Sequence, residues 1–311
     1  MTATATPHAV PHAPELSDAL AAKLDALRAA FRAKRRVLTA LSGGVDSSLC
    51  QAIAHEVLGR DGAIAVTAKS ETLSASEFDG ITALAAARGW DHRTIEYSEL
   101  AIPQYAANPV NRCFFCKHEL YGRLTALAAE WDCDAVVEGT NADDVGDHRP
   151  GMKAAAEKGT FAPLLLCGAN KSDVRALAEW YKLPNHAKPS GACLSSRFPY
   201  GQTITREGLD RVGAAEDYLR GLGFTQVRVR HHEGRLARVE LLPAELAALG
   251  ATPDRLTDVH DRLKSLGFAY VTLDLKGYRT GSLNEGLTSA GVPSPASPSS
   301  MYKTGMPTGT P

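Results

Sequence analysis

The stretch Arg36-Val37-Leu38-Thr39-Ala40-Leu41-Ser42-Gly43-Gly44-Val45-Asp46-Ser47-Ser48 constrains the fold more than any other part of the chain. Its apolar run, 37–41, reads as a buried strand; Ser-Gly-Gly breaks it, and Asp46-Ser47-Ser48 opens a helical stretch over 47–58. A strand that turns directly into a helix aims the helix's first amides, and the positive end of its dipole, at one spot. Two glycines let an anion approach backbone that a Cβ would shield. The expected product is a phosphate cradle. It is not a Walker A loop, because no lysine follows the glycines to reach the β- and γ-phosphates. The bland alternative, a glycine turn capping an ordinary helix, does not account for the strand–loop–helix order.

The rest of the chain supplies a frame for such a loop. Strand-like runs at 37–41, 63–68, 92–97 and 135–138 alternate with helical stretches at 47–58, 75–88 and 116–130, after an amphipathic helix over 15–34. This βαβα order predicts an α/β fold, a parallel sheet with helices on both faces. Ligands then bind at the carboxyl ends of the strands, where Ser42 falls. Past residue 200 the pattern changes to helices at 206–222 and 253–266 with strands at 226–230, 236–241 and 269–273. The expected organisation is a phosphate-loop domain over 15–200 and a smaller α+β domain over 201–285, the ends 1–14 and 286–311 being unstructured.

Composition narrows the partners. A formal charge of −1 and a pI of 6.8 provide no global field for nucleic acid or anionic membrane. No apolar run approaches the roughly 20 residues of a membrane span, and the N-terminus lacks the basic and apolar regions of a secretory signal. Six cysteines are too few for a disulfide framework in 311 residues. A cytoplasmic protein is expected.

Three further groups carry chemistry. Glu138-Gly139-Thr140-Asn141-Ala142-Asp143-Asp144 follows the strand at 135–138, at a second carboxyl end. There Gly139, Thr140 and Asn141 are expected to meet the other side of a nucleotide, and Asp143, Asp144 or Asp147 to hold Mg²⁺ through water; the alternative is an ordinary Asn/Asp turn. Cys113-Phe114-Phe115-Cys116-Lys117 is weak alone, since one such pair arises by chance in about one chain in ten. Neither a second pair nor a His pair completes a zinc site. Cys193, however, sits in Pro189-Ser190-Gly191-Ala192-Cys193-Leu194-Ser195-Ser196-Arg197-Phe198, a Gly/Pro-framed loop where Arg197 could lower a thiol pKa or hold a phosphate. Three cysteinates would leave one iron of a 4Fe–4S cluster open for an extra sulfide. Cys50, Cys133 and Cys167 read as small core residues. Last, Arg228-Val229-Arg230 aligns two guanidiniums on one strand face, with His231, His232 and Arg235 beyond and Glu216 or Glu240 to orient them. Two forks suit a phosphate or paired carboxylates; the alternative is a solvated face.

Taken together, these motifs resemble the LarE family, ATP-dependent sacrificial sulfur transferases of nickel-pincer cofactor synthesis within the PP-loop ATP pyrophosphatases. The resemblance runs from about Arg36 to Glu285, carried by Ser42–Ser48, Asn111–Lys117, Gly139–Asp144, Asp147–Gly151, Ala192–Gly201, Val227–His232 and Gly281–Glu285. It implies ATP with Mg²⁺ bound by Ser42, Gly43, Gly44, Asp46, Ser47, Ser48, Gly139, Thr140 and Asn141, and pyrophosphate release. The substrate it implies is a pyridinium mononucleotide bearing two carboxylates, its phosphate held by Arg228 and Arg230 with Glu216 ordering the site. One carboxylate is adenylated, and sulfur then displaces AMP. In single-cysteine members the equivalent of Cys193 surrenders its sulfur and becomes dehydroalanine; members with the cysteine pair are thought to build a 4Fe–4S cluster. Cys113, Cys116 and Cys193 favour the cluster route here, with Arg197 near the thiol. The family forms homo-oligomers.

Rival readings remain distinguishable. A tRNA thiolation enzyme shares the loop and three cysteines but would carry a basic surface or zinc-finger-like ends. An amidotransferase or NAD-synthetase-like ligase shares only the loop. A non-enzymatic ATP sensor would bind without releasing pyrophosphate.

Overall fold

The computed structural model describes residues 16–146, 150–189, 191–279 and 281–282. The ends expected to be unstructured, Asp147, Ser190 and residues 283–285 lie outside them.

Strands β1 (Val37–Ala40), β2 (Ala63–Lys69), β3 (Asp91–Glu96) and β4 (Ala135–Val137) form one all-parallel sheet in the order β3-β2-β1-β4. Helices α1 (Asp18–Arg32), α2 (Val45–Gly62), α3 (Ala75–Ala87), α4 (Pro103–Ala106), α5 (Arg112–Glu130), α6 (Pro150–Glu157), α7 (Pro163–Leu166) and α8 (Lys171–Trp180) surround it. The two-residue period of the strands divides the core. Val37, Ala63, Ala65 and Val137 join Leu27 and Phe31 of α1, Leu49 and Ile53 of α2, Ile81 of α3 and Leu177 of α8. Leu38, Ile64, Val66 and Val136 face Tyr121, Leu124 and Ala128 of α5. Helices thus cover both faces, and α2, buried on most sides, is the central one. In α1 the Ser17 hydroxyl caps Leu20 N, and Leu24, Leu27 and Phe31 are buried on one face, each contributing about 1.5–3 kcal/mol.

A second sheet has β5 (Arg228–His232), β6 (Leu236–Glu240) and β7 (Tyr270–Leu273) in that order, with β5–β6 antiparallel and β6–β7 parallel. Helices α9 (Arg206–Gly221), α10 (Pro243–Gly250) and α11 (Pro253–Ser265) accompany it. Its core of Leu209, Val212, Leu219, Val229, Val239 and Leu263 also takes in Tyr105, Leu194 and Phe198. The loop carrying Cys193 is therefore packed on the second core while its chain comes from the first. No helix of the described residues is long and apolar enough to cross a membrane.

One boundary differs with consequence. The helix expected over 116–130 begins at Arg112, because Asn111 serves as its N-cap and Phe114 N bonds Asn111 O. Both Cys113 and Cys116 consequently sit near the start of α5.

Candidate active site

The phosphate loop lies at the carboxyl edge of the parallel sheet. Gly44 is the N-cap of α2 and offers no side chain to its first amides, which stay available to an anion. Gly43 has φ +74°, and a Cβ there would stand 2.5 Å from Ile81 Cγ1, so both conformation and space require glycine. The Ser47 hydroxyl folds back to accept from Ser42 N at 3.2 Å and donate to Gly44 O at 3.2 Å. Gly139 abuts this loop: a Cβ would fall 2.9 Å from Ser47 N. Asp46 is gripped from two sides, by Asn141 Nδ2 at 3.0 Å and Lys171 Nζ at 2.5 Å. Thr140 turns away, its N and Oγ1 donating to Glu138 Oε2 at 3.1 and 2.6 Å. Burial raises the Glu138 pKa against those hydrogen bonds and the charge of Lys117. Asp144 Oδ2 accepts from Asn141 N at 3.0 Å, and Asp143 Oδ2 from Lys171 N at 2.9 Å. Magnesium needs only one or two protein carboxylates beside its phosphates, so Asp144 and Asp46 suit it in kind.

Cys193 is the N-cap of a short 3₁₀ turn, Leu194–Arg197. Leu194 N bonds Thr72 O at 3.2 Å, beyond the end of β2, and the Tyr105 hydroxyl lies 2.5 Å from Ser195 Oγ. Cys113 and Cys193 are exposed and Cys116 half-buried. Although its edge is exposed, loss of hydration to the surrounding protein, then the charge of Cys193, raises the Cys113 pKa against Arg112 and Lys117. Burial and Glu99 push Cys116 well up, against Lys117. Cys193 thus lies within electrostatic reach of both Cys113 and Cys116. Cys116 Sγ donates to Glu99 Oε1 at 3.1 Å, and Glu99 also accepts from Ser70, Thr72 and Tyr97 at 2.8, 2.5 and 3.2 Å. As a donor set these thiols fit an iron–sulfur cluster in kind. They do not form a closed ligand shell here: among the described residues no three Cys, His, Asp or Glu side chains are grouped to hold a metal. Cys50 is buried; Cys133 and Cys167 are partly buried against apolar clusters.

The arginine strand is not a solvated face. Arg228 and Arg230 are 7% and 5% exposed. Arg230 donates to Glu240 Oε2 at 2.8 Å, Ser282 Oγ at 2.9 Å and Ser196 O at 2.9 Å. The Arg228 guanidinium lies 5.2 Å from the Tyr278 ring centroid. Burial and the like charge of Arg197 lower the Arg228 pKa, so an anion brought there would be stabilised. Glu216, wholly buried, takes 2.7 Å hydrogen bonds from Arg197 Nε, Arg197 Nη2 and Arg220 Nη2, and 3.0 Å from Val229 N. Burial would raise its carboxyl, but the charges and hydrogen bonds of the arginines hold it below the usual carboxylate range. Arg197 also donates to Ala192 O at 2.6 Å and Cys193 O at 3.0 Å. Its donors therefore grip the loop backbone and Glu216. Glu240 holds Arg230 by a single bond, its other oxygen accepting from Ser282 Oγ at 2.9 Å and lying 3.3 Å from Arg238 Nη2.

Lys171, Asn185 and Glu99 were not singled out from sequence. Lys171 had a legible signal: a cation at the first position of a helix opposes the helix dipole, behind the Asn170/Asp173 capping box. Asn185 and Glu99 had none, since the partners of Asn185, and all those of Glu99 except Tyr97, come from other elements of the chain.

Residues 19–113 match the asparagine synthase family. The chain is 45% identical over 269 residues to an uncharacterized protein of Synechocystis sp., spanning 86% of this chain and 99% of that one. It is 42% identical over 271 residues to the pyridinium-3,5-bisthiocarboxylic acid mononucleotide synthase of Lactiplantibacillus plantarum, spanning 87% and 97%. A Methanocaldococcus jannaschii protein, also uncharacterized, is 26% identical over 246 residues, spanning 79% and 92%. A phosphate loop on a parallel sheet, a second small sheet and near-full-length likeness to that synthase together place the chain in the LarE family of PP-loop enzymes.

Proposed function

We propose that the protein transfers sulfur, at the expense of ATP, to a carboxylate of a pyridinium biscarboxylic acid mononucleotide. The observation that carries this reading is the reach of the Cys193 loop. Leu194 N is tied to Thr72 O beyond the end of β2, and Arg197 is tied through Glu216 to Val229, between Arg228 and Arg230. One short segment thus spans the phosphate-loop edge and the arginine strand.

A carboxylate is a poor electrophile because oxide is a poor leaving group. Its oxygen attacks the α-phosphorus of ATP, the bond to the β-phosphate oxygen breaks, and pyrophosphate leaves on the loop of Ser42, Gly43, Gly44, Asp46, Ser47 and Ser48. Gly139 and Asn141 border the nucleotide, Thr140 braces their turn through Glu138, and Asp144 would hold Mg²⁺ through water. Arg228 and Arg230 hold the substrate phosphate, and Glu216 keeps Arg197 and β5 in register. A sulfur nucleophile adds to the activated carbonyl and AMP departs, leaving a thiocarboxylate. If Cys193 itself is the donor, its thiolate forms a thioester; loss of the Cα proton then breaks Cβ–S and leaves dehydroalanine. When bound by Cys113, Cys116 and Cys193, a 4Fe–4S cluster would instead supply sulfide at its open iron. The three-thiol set favours this second source. The enzyme acts in the cytoplasm as a homo-oligomer in this reading, and nucleic acid is not its substrate.

The test is Cys193→Ala. Pyrophosphate release with substrate should persist while thiolated product vanishes; thiolated product from Cys193→Ala refutes the assignment. Protein purified without oxygen should carry about four iron and four acid-labile sulfide per chain, lost in Cys113→Ala. No iron would identify Cys193 as a single-use donor. The tRNA reading predicts instead tight, steeply salt-dependent tRNA binding.

A further inference from the structure

Between α8 and the Cys193 loop the chain crosses back to the phosphate loop on a backbone held by two arginines. Arg88 Nη2 donates to Tyr181 O at 2.6 Å and to Lys182 O, while Arg175 donates to His186 O at 2.9 Å and Lys188 O at 3.1 Å. This strap delivers Asn185, whose Nδ2 donates to Gly43 O at 3.2 Å and to Ser48 Oγ at 2.9 Å. Asn185 Oδ1, by contrast, is buried with no partner. Leaving a buried acceptor unpaired is costly. Turning the amide over would not relieve this, because the oxygen would then face the Gly43 carbonyl. The side chain is held with its donors on the loop.

We propose that Asn185 is a positioning residue that sets the polarity of the phosphate loop. In a trans peptide the carbonyl and the following N–H point in opposite directions. With the Gly43 carbonyl tied to Asn185, the Gly44 N–H is turned away from the strap and into the cradle. A glycine at φ +74° has little steric resistance to peptide rotation, so the tie is what selects this orientation. Ser48 Oγ, already accepting from Asn185, directs its own proton elsewhere. The Gly44 N–H is thereby presented to the pyrophosphate before it arrives, which is where preorganised donors act most strongly. The assignment rests on the reading that this loop holds the pyrophosphate of ATP.

The test is calorimetric titration of the full chain with Mg–ATP, inorganic pyrophosphate and AMP. Asn185→Asp keeps the shape and replaces donors by acceptors; Asn185→Leu removes the donors without adding charge. Both should weaken ATP and pyrophosphate by about tenfold or more, the equivalent of one misdirected hydrogen bond to a charged group. AMP, which lacks the β- and γ-phosphates, should stay within about twofold in both. A general folding defect would weaken all three ligands alike and overturn the assignment. So would unchanged pyrophosphate affinity in Asn185→Leu. Wild-type protein that bound neither ATP nor pyrophosphate would remove the reading beneath the assignment, whereas wild-type binding with indifferent variants removes Asn185 alone.

Discussion

Glu216→Gln isolates the buried knot that joins the sulfur loop to the arginine strand. In the wild type, Oε1 accepts from Arg197 Nε and Val229 N, and Oε2 from Arg197 Nη2 and Arg220 Nη2. The amide retains one oxygen for the first pair and sets an NH₂ group against the second, donor facing donors. The bond from Arg220, whose side chain is 33% exposed, is screened by water and contributes at most about 1 kcal/mol. Arg197, 3% exposed in its side chain, is left as a buried cation without its counter-charge. Breaking a buried pair in this way costs about 3–5 kcal/mol. In urea unfolding followed by circular dichroism, this appears as a fall in midpoint at constant slope. The melting temperature should drop by roughly 10 °C, at about 2–4 °C per kcal/mol for a chain of this size. The sign of the pH dependence is fixed. The carboxyl pKa of Glu216 is depressed in the fold, so its contribution is complete above the unfolded value of about 4.3 and is lost as pH falls through the folded value. The gap between wild type and variant should therefore narrow on acidification. A loss below about 1 kcal/mol at neutral pH would refute the argument, because it would mean that water already reaches the pair.

Three further outcomes are expected. Gly139→Ala places a methyl 2.9 Å from Ser47 N and 3.1 Å from Asp46 C; it should cost about 1–3 kcal/mol of stability and weaken ATP binding measured by calorimetry. Lys171→Met removes the cation on Asp46 and should raise the KM for ATP by about tenfold or more in a pyrophosphate-release assay, with the secondary structure unaltered by circular dichroism. Burial and the charge of Arg211 lower the His231 pKa, and burial with Arg238 lowers that of His232. Their neutral forms favour the fold fully above the unfolded value of about 6.5, and that stability is lost as pH falls through the folded values. The urea midpoint should thus be lower at pH 5.5 than at pH 7.5, and less so in His231→Gln.

Local signals were enough for the phosphate loop and its frame. The strand–Gly-Gly–helix order and the alternation of apolar runs are properties of neighbours in the chain, and β1, β2, β4, α2 and α3 form where those neighbours predict. The period-two apolar residues also determine which face each strand side chain takes, as Val37 and Leu38 show by entering opposite clusters. The pairing of the buried charges was not legible. Glu216 and Glu240 were interchangeable candidates beside the arginine strand, and only the packing of α9 against β5 gave Glu216 to Arg197, while the β5–β6 register sets Glu240 opposite Arg228 and lets it reach Arg230 diagonally. Lys171 and Asn185 reach Asp46, Gly43 and Ser48 across more than a hundred residues of chain. Periodicity and propensity act over one or two turns, whereas a hydrogen bond depends on ångström-scale distance and direction. Neighbouring residues suffice to place a phosphate-binding loop at the end of a parallel sheet. Tertiary structure alone decided which distant side chains aim that loop, because their meeting is set by how separate elements pack.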